Sequence, residues 1–136
     1  MHSQIYVNLP VKDLKRSVKF FTQLGYTFNP QFTDENATCM ILGDNLFVML
    51  LTEKFFKSFN SKEITDTSKA NEVLTCVSCE SKQQVDELVA KARAAGGKVP
   101  RTAQDHGFMY AHGYEDLDGH TWELVHMTGA PPEQHA

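Results

Sequence analysis

The sequence predicts an α+β fold, two paired βαβββ modules whose curved mixed sheets form a cleft. Three observations predict it. The chain of 136 residues is the length of one ordinary domain, or of two small modules sharing a core. Its hydrophobic share of 41% and charged share of 22% match an average globular chain rather than a disordered segment, a fibre or a disulfide mini-scaffold. The same order of strand-like and helix-like segments also occurs twice, in halves of about sixty residues, neither with enough core to stand comfortably alone.

In the first half, Ile5–Leu9 is a short apolar segment with near-alternation, the pattern of a strand. Asp13 then caps a helix running to Leu24, with Val18, Phe20, Phe21 and Leu24 spaced for one buried face and Gly25 as its stop. Extended segments follow at Tyr26–Phe32, Ala37–Leu42 and Leu46–Leu51, the last two joined by the turn signal Gly43-Asp44-Asn45. Lys54–Asn71 is polar and aperiodic and reads as a linker with one helical turn around Phe55–Phe59. In the second half Val73–Cys79 reads as a strand, and Ser81 with Gln84 forms a capping box. Val85, Leu88, Val89 and Ala92 mark the buried face of a helix stopping at Gly96-Gly97. Short strands are expected near Lys98–Arg101, Phe108–Tyr114 and His120–Met127. A single domain over residues 1–128 therefore divides into module one (4–53), a linker (54–71) and module two (72–128), with a loose tail at 129–136.

Charge and cysteine content exclude several function classes. A net charge of −4 and a pI near 5.8 disfavour non-specific nucleic-acid binding, which wants a basic face. The longest apolar run, Leu46–Leu51, is far short of the roughly 20 residues of a membrane-spanning helix. With no export signal at the N-terminus, a cytoplasmic location with reduced thiols is expected for Cys39, Cys76 and Cys79. Cys76 and Cys79 have the spacing of a redox or zinc pair, but on a strand residues three apart point to opposite faces. A second pair that would complete a zinc site is also missing.

Asn8-Leu9-Pro10-Val11-Lys12-Asp13-Leu14 before an aromatic helix ending Leu24-Gly25-Tyr26 resembles the opening of the vicinal-oxygen-chelate superfamily, the group of glyoxalase I, bleomycin-resistance proteins and extradiol dioxygenases. Gly107–Tyr110 and Asp116-Leu117-Asp118-Gly119-His120-Thr121-Trp122-Glu123-Leu124 resemble its closing hairpin. The resemblance spans Gln4 to Met127 and implies paired βαβββ modules, commonly in a homodimer. For metal-dependent members it implies one ligand from the first and one from the last strand of each module. Carried over, these positions fall on Tyr6, on Val48, Met49 or Leu50, on Leu74 and on Glu123. Of these only Glu123 is a good ligand for a divalent cation, so a metal cofactor is disfavoured.

The closing hairpin also gathers candidate site residues without reference to any family. A two-residue turn at Asp118-Gly119 puts His112 opposite Val125; a four-residue loop Asp116–Gly119 puts it opposite Glu123. Either register places Phe108, Tyr110, His112 and Tyr114 on the face of Thr121, Glu123, Val125 and Met127, whereas a three-residue loop swaps the faces. By alternation Tyr6 and Asn8 project from the corresponding face of the first strand. Aromatic rings, His112 and Glu123 on one surface suit a flat, partly apolar ligand. Glu123 is the candidate general base, its alternative role being to accept hydrogen bonds that order the cleft. Tyr6, Asn8, Phe108, Tyr110, His112 and Tyr114 are the candidate ligand-binding residues. Asp116 and Asp118 are explained by turn formation better than by a calcium loop. The expected function is binding of a small organic molecule in an aromatic cleft without the usual metal square, by a homodimer with no nucleic-acid or membrane partner. The alternative is a lyase, isomerase or dioxygenase whose metal is held by a rearranged set including Glu123 and His112.

Overall fold

The structure, a computed structural model, describes residues 1–130. The expected loose tail therefore lies, from residue 131, outside the described residues. The chain divides into two compact units, Met1–Asp66 and Thr67 onward, each built in the order strand, helix and three strands. No described helix is long and apolar enough to cross a membrane.

In the first unit, β1 (Ile5–Val11) leads into α1 (Leu14–Gln23), whose first turn is fixed by the Asp13 carboxylate accepting from the Arg16 N–H. Ser17, Phe20 and Phe21 form the buried face of α1, and Gly25 at φ +101° turns the chain out of it. β2 (Thr27–Asn29), a 3-10 turn (Pro30–Phe32), β3 (Ala37–Gly43) and β4 (Leu46–Thr52) complete a sheet of order β1-β4-β3-β2. β1 runs parallel to β4, with Tyr6 beside Phe47 and Asn8 beside Met49. Leu9, Val11, Val48 and Leu50 are buried, while Tyr6 and Asn8 are exposed. The helical turn expected at Phe55–Phe59 starts earlier, as α2 (Glu53–Lys57), because the Thr52 hydroxyl caps it by accepting from the Phe55 N–H.

The second unit repeats the plan with β5 (Leu74–Ser78), α3 (Lys82–Ala94), β6 (Gln104–Asp105), β7 (Met109–Glu115) and β8 (Thr121–Met127), in a sheet of order β5-β8-β7-β6. Ser81 caps α3 by accepting from the Gln84 N–H at 3.0 Å, and the Gln84 side chain reaches back to accept from the Glu80 N–H at 2.6 Å. Ser81→Ala is expected to cost about 1 kcal/mol, read as a lowered midpoint in thermal unfolding followed by circular dichroism. Trp122, Leu124, Val85 and Ala92 are fully buried between this helix and its sheet.

Two expectations for this unit are corrected. Lys98–Arg101 does not form a strand; only Lys98 pairs, with Glu115. The next hydrogen-bonded pair would be Pro100 with Gly113, and proline has no N–H to give. The ladder resumes only at Gln104 opposite Ala111, two residues out of step, so residues 100–103 are thrown clear of the sheet.

The second correction concerns the closing hairpin, where Gly113 pairs with Glu123, His112 with Leu124 and Tyr114 with Trp122. The Asp116 N–H donates to the His120 carbonyl and the Gly119 N–H to the Asp116 carbonyl, leaving a loop of Leu117, Asp118 and Gly119 with Gly119 at φ +85°. An odd loop swaps the faces. Tyr110, His112 and Tyr114 therefore lie on the Trp122 side under α3, not on the Glu123 side.

Candidate functional site

Glu123 stands in the middle of β8, on the sheet face away from α3, between Cys76 of β5 and Gly113 of β7. Leu74, Thr121 and Cys76 share that face by register. Gly113 has no side chain there, and a Cβ on it would stand 3.0 Å from a Glu123 carboxylate oxygen. The glycine thus leaves the space in which the carboxylate stands. Arg101, on the segment that Pro100 excludes from the ladder, forms an ion pair with Glu123 through its guanidinium. The carboxylate presses on its neighbour as well: burial first and Glu123 second push the Cys76 thiol up. A thiol so placed stays protonated near neutrality.

A cleft of about 430 Å³ opens over this face. Leu74, Thr121 and Glu123 line its floor, Pro100 and Arg101 one wall, and the segment Thr67–Asn71 the other. That segment is tied to the second sheet. The Thr67 hydroxyl donates to the Asp118 carbonyl, and the Thr121 hydroxyl donates to the Asn71 side-chain oxygen at 3.1 Å. A smaller hollow of about 40 Å³, room for about one water, lies beside Arg101 and is bordered by His112, Gly113 and Glu123.

The candidate residues named from the sequence are dispersed by the corrected register. Tyr114 is buried and stacks on Trp122 with ring centroids 6.3 Å apart. Tyr110 donates its hydroxyl to Asp86 of α3 at 2.6 Å, a bond that holds its own proton on and pushes the phenol up. Phe108 is half-buried beside His106. His112 borders the small hollow from the far side of β7, its Nδ1 buried and without a hydrogen-bond partner among the described residues. In the first unit Tyr6 stacks on Phe47 at 4.9 Å, its hydroxyl donating to Gln4, while the Asn8 amide donates to the Tyr6 carbonyl. Of the named residues, Glu123 and the buried Tyr114 border the large cleft.

Sequence reasoning missed Arg101 and the wall Thr67–Asn71. A signal for Arg101 was present: Pro100 inside an expected strand marks a break, and the residue after a break is free to leave the sheet. The wall carries no such signal, because a polar aperiodic stretch looks the same whether loose or tied down. Cys76 on β5 is exposed and Cys79, just beyond the end of that strand, is buried, both as free thiols.

The positions that correspond to the metal square of the resembled family do not fit a divalent cation. Asn8 and Cys76 both lie five residues before a helix cap and pair with Met49 and Glu123 respectively, so Met49 is the residue on the open face of β4. The residues at those positions are then a phenol, a thioether, the hydrocarbon of Leu74 and one carboxylate already paired with a guanidinium. Among the described residues no three His, Cys, Asp or Glu side chains come together as a metal site.

A family model described as bleomycin resistance protein-like N-terminal matches residues 4–43. No curated protein matches the chain. Among solved structures, a hypothetical protein from S. aureus is 27% identical, with a TM-score of 0.78 over 92% of this chain and 94% of that one. A glyoxalase/bleomycin resistance protein/dioxygenase family enzyme from Burkholderia phytofirmans is 16% identical, with a TM-score of 0.74 over 90% and 96% of the two chains. A glyoxalase-related enzyme from Fulvimarina pelagi is 20% identical, with a TM-score of 0.76 over 92% and 88%. The chain thus shares the repeated βαβββ fold of these structures, and its first strand, helix and following strands match a bleomycin resistance protein-like N-terminal model, as the resemblance of the sequence to the vicinal-oxygen-chelate superfamily implies.

Proposed function

We infer that the protein binds a small organic molecule in the cleft over Glu123, and does so without a metal ion. The observation that carries this reading is the Arg101–Glu123 pair. The one acidic corner that the resemblance implies, Glu123, is already ion-paired with a guanidinium supplied by the chain itself. A cleft of about 430 Å³ falls within the range of small-molecule sites, and its lining mixes the apolar Leu74 and Pro100 with polar and charged groups. The aromatic residue of the lining, Tyr114, is buried, so recognition rests on ion pairs and hydrogen bonds at Arg101, Glu123 and Thr121. The reading extends to a homodimer, the assembly that the sequence resemblance implies, acting in the cytoplasm.

Two measurements on the purified protein test this. Elemental analysis is expected to find no stoichiometric Zn, Ni, Fe or Mn, and a tightly bound equivalent of any of them would overturn the metal-free reading. A library of small organic fragments, followed by amide chemical shifts of the full chain, is expected to give hits that move Gly113, Thr121 and Glu123. Hits that leave these residues unmoved would place binding elsewhere.

A further inference from the structure

Resting on that reading, the inference concerns which molecules the cleft admits. Its lining carries four formal charges, Lys69 and Arg101 against Glu115 and Glu123, which sum to zero. A lining of that kind gives no long-range preference for anions or for cations, so discrimination falls to the pair at its centre. The two partners of that pair are unlike in freedom. Arg101 is 62% exposed and sits on the stretch that Pro100 keeps out of the sheet, so it can swing into solvent. Glu123 is 18% exposed and is fixed in the middle strand pair, with Gly113 beside it.

The consequence is an ordering of ligand charge types. A molecule bearing only an anion can reach Arg101 only by drawing it away from Glu123, which leaves a largely enclosed carboxylate without a cation. A molecule bearing only a cation can replace the guanidinium on Glu123, because Arg101 is already largely solvated. A molecule bearing both replaces each partner's lost neighbour, anion to Arg101 and cation to Glu123, and leaves no group unpaired. We propose that the cleft selects small zwitterions, which open the Arg101–Glu123 pair and insert between its two halves. A volume of about 430 Å³ holds about fourteen waters, which matches a ligand of about a dozen non-hydrogen atoms.

The test uses three probes built on one phenylethyl skeleton, namely phenylalanine, phenethylamine and 3-phenylpropanoate, titrated into the full-length protein near neutral pH with amide chemical shifts as the readout. Phenylalanine is expected to bind about tenfold more tightly than phenethylamine, and phenethylamine more tightly than 3-phenylpropanoate. Arg101→Gln should bring phenylalanine and phenethylamine within about twofold of each other, because the anion then has no partner. Glu123→Gln should remove the disadvantage of 3-phenylpropanoate; since Arg101→Gln alters only an exposed side chain, one informative variant remains even if Glu123→Gln folds poorly. Equal binding of the three probes at the cleft, or no binding of phenylalanine while other fragments bind there, overturns the zwitterion inference and leaves the small-molecule reading standing. Probes and fragments alike failing to move cleft residues would sink both.

Discussion

Asp116→Ala is expected to lower the stability of the protein by about 3–5 kcal/mol, because one side chain satisfies three donors in a place closed to water. The Asp116 carboxylate is 5% exposed; one oxygen accepts from the Asp118 and His120 N–H groups at 2.9 and 3.0 Å, and the other from the Trp122 indole at 3.1 Å. Truncation leaves those donors facing a void. The same bonds set the three-residue loop and hence the register of β7 on β8. Urea unfolding followed by circular dichroism measures the loss, and a cost below about 1 kcal/mol would show that the three donors find other partners. Asp116→Asn keeps the shape but turns an amide N–H₂ toward one of these donors, so a smaller loss of about 1–2 kcal/mol is expected.

The pH dependence follows from burial. Desolvation, the largest influence, pushes the Asp116 carboxyl above its usual range, against the opposing pull of His120 and the Trp122 N–H. A folded-state value raised above the unfolded one favours the native state below the unfolded value of about 3.9, and that advantage is lost as pH rises through the folded value. Wild type is therefore expected to lose ground against Asp116→Asn as pH rises above about 4, in paired unfolding experiments.

Gly113→Ala carries the second large effect. A Cβ at this position would lie 2.5 Å from the Trp122 carbonyl oxygen and 3.0 Å from the Glu123 carboxylate. The first contact is with backbone, which cannot turn aside as a side chain does, so β7 and β8 must part locally. A cost of about 3 kcal/mol is expected, at the upper end for inserting one methyl into a packed site. It should be accompanied by large amide shifts at Trp122 and Glu123. A variant as stable as wild type with unmoved Glu123 signals would show that the strands had room to spare. Because the substitution also displaces the carboxylate, binding of cleft ligands should fall with it.

The elements themselves were legible because their signals are local. Asp13 and Ser81 cap their helices, Gly25 and Gly96 end them at positive φ, and alternation in Ile5–Leu9 correctly separates Tyr6 and Asn8 from Leu9. The composition of the site was less legible because it hangs on parity. Asp118-Gly119 is the signature of a two-residue turn, yet the same glycine at positive φ closes a three-residue loop once Asp116 folds its side chain back onto the turn. A side chain choosing between two acceptable loops leaves no trace in apolar periodicity. Tyr110, His112 and Tyr114 were consequently expected beside Glu123, whereas Tyr114 packs on Trp122 and Tyr110 bonds to α3. Arg101 stayed hidden for a related reason, since the Pro100 break becomes visible only when the pairing of its neighbours is known.

The odd count of that loop makes the hairpin a two-position selector. With Leu117, Asp118 and Gly119 in place, the rings of β7 pack inward and its small residues Ala111 and Gly113 come to the front. Shortening or lengthening the loop by a single residue would turn the strand over and bring a tyrosine–histidine–tyrosine row forward in their stead. One insertion or deletion at a surface bend is thus enough to exchange a salt-lined recess for a ring-lined one on an otherwise unchanged scaffold, a short mutational path between two quite different appetites for ligands.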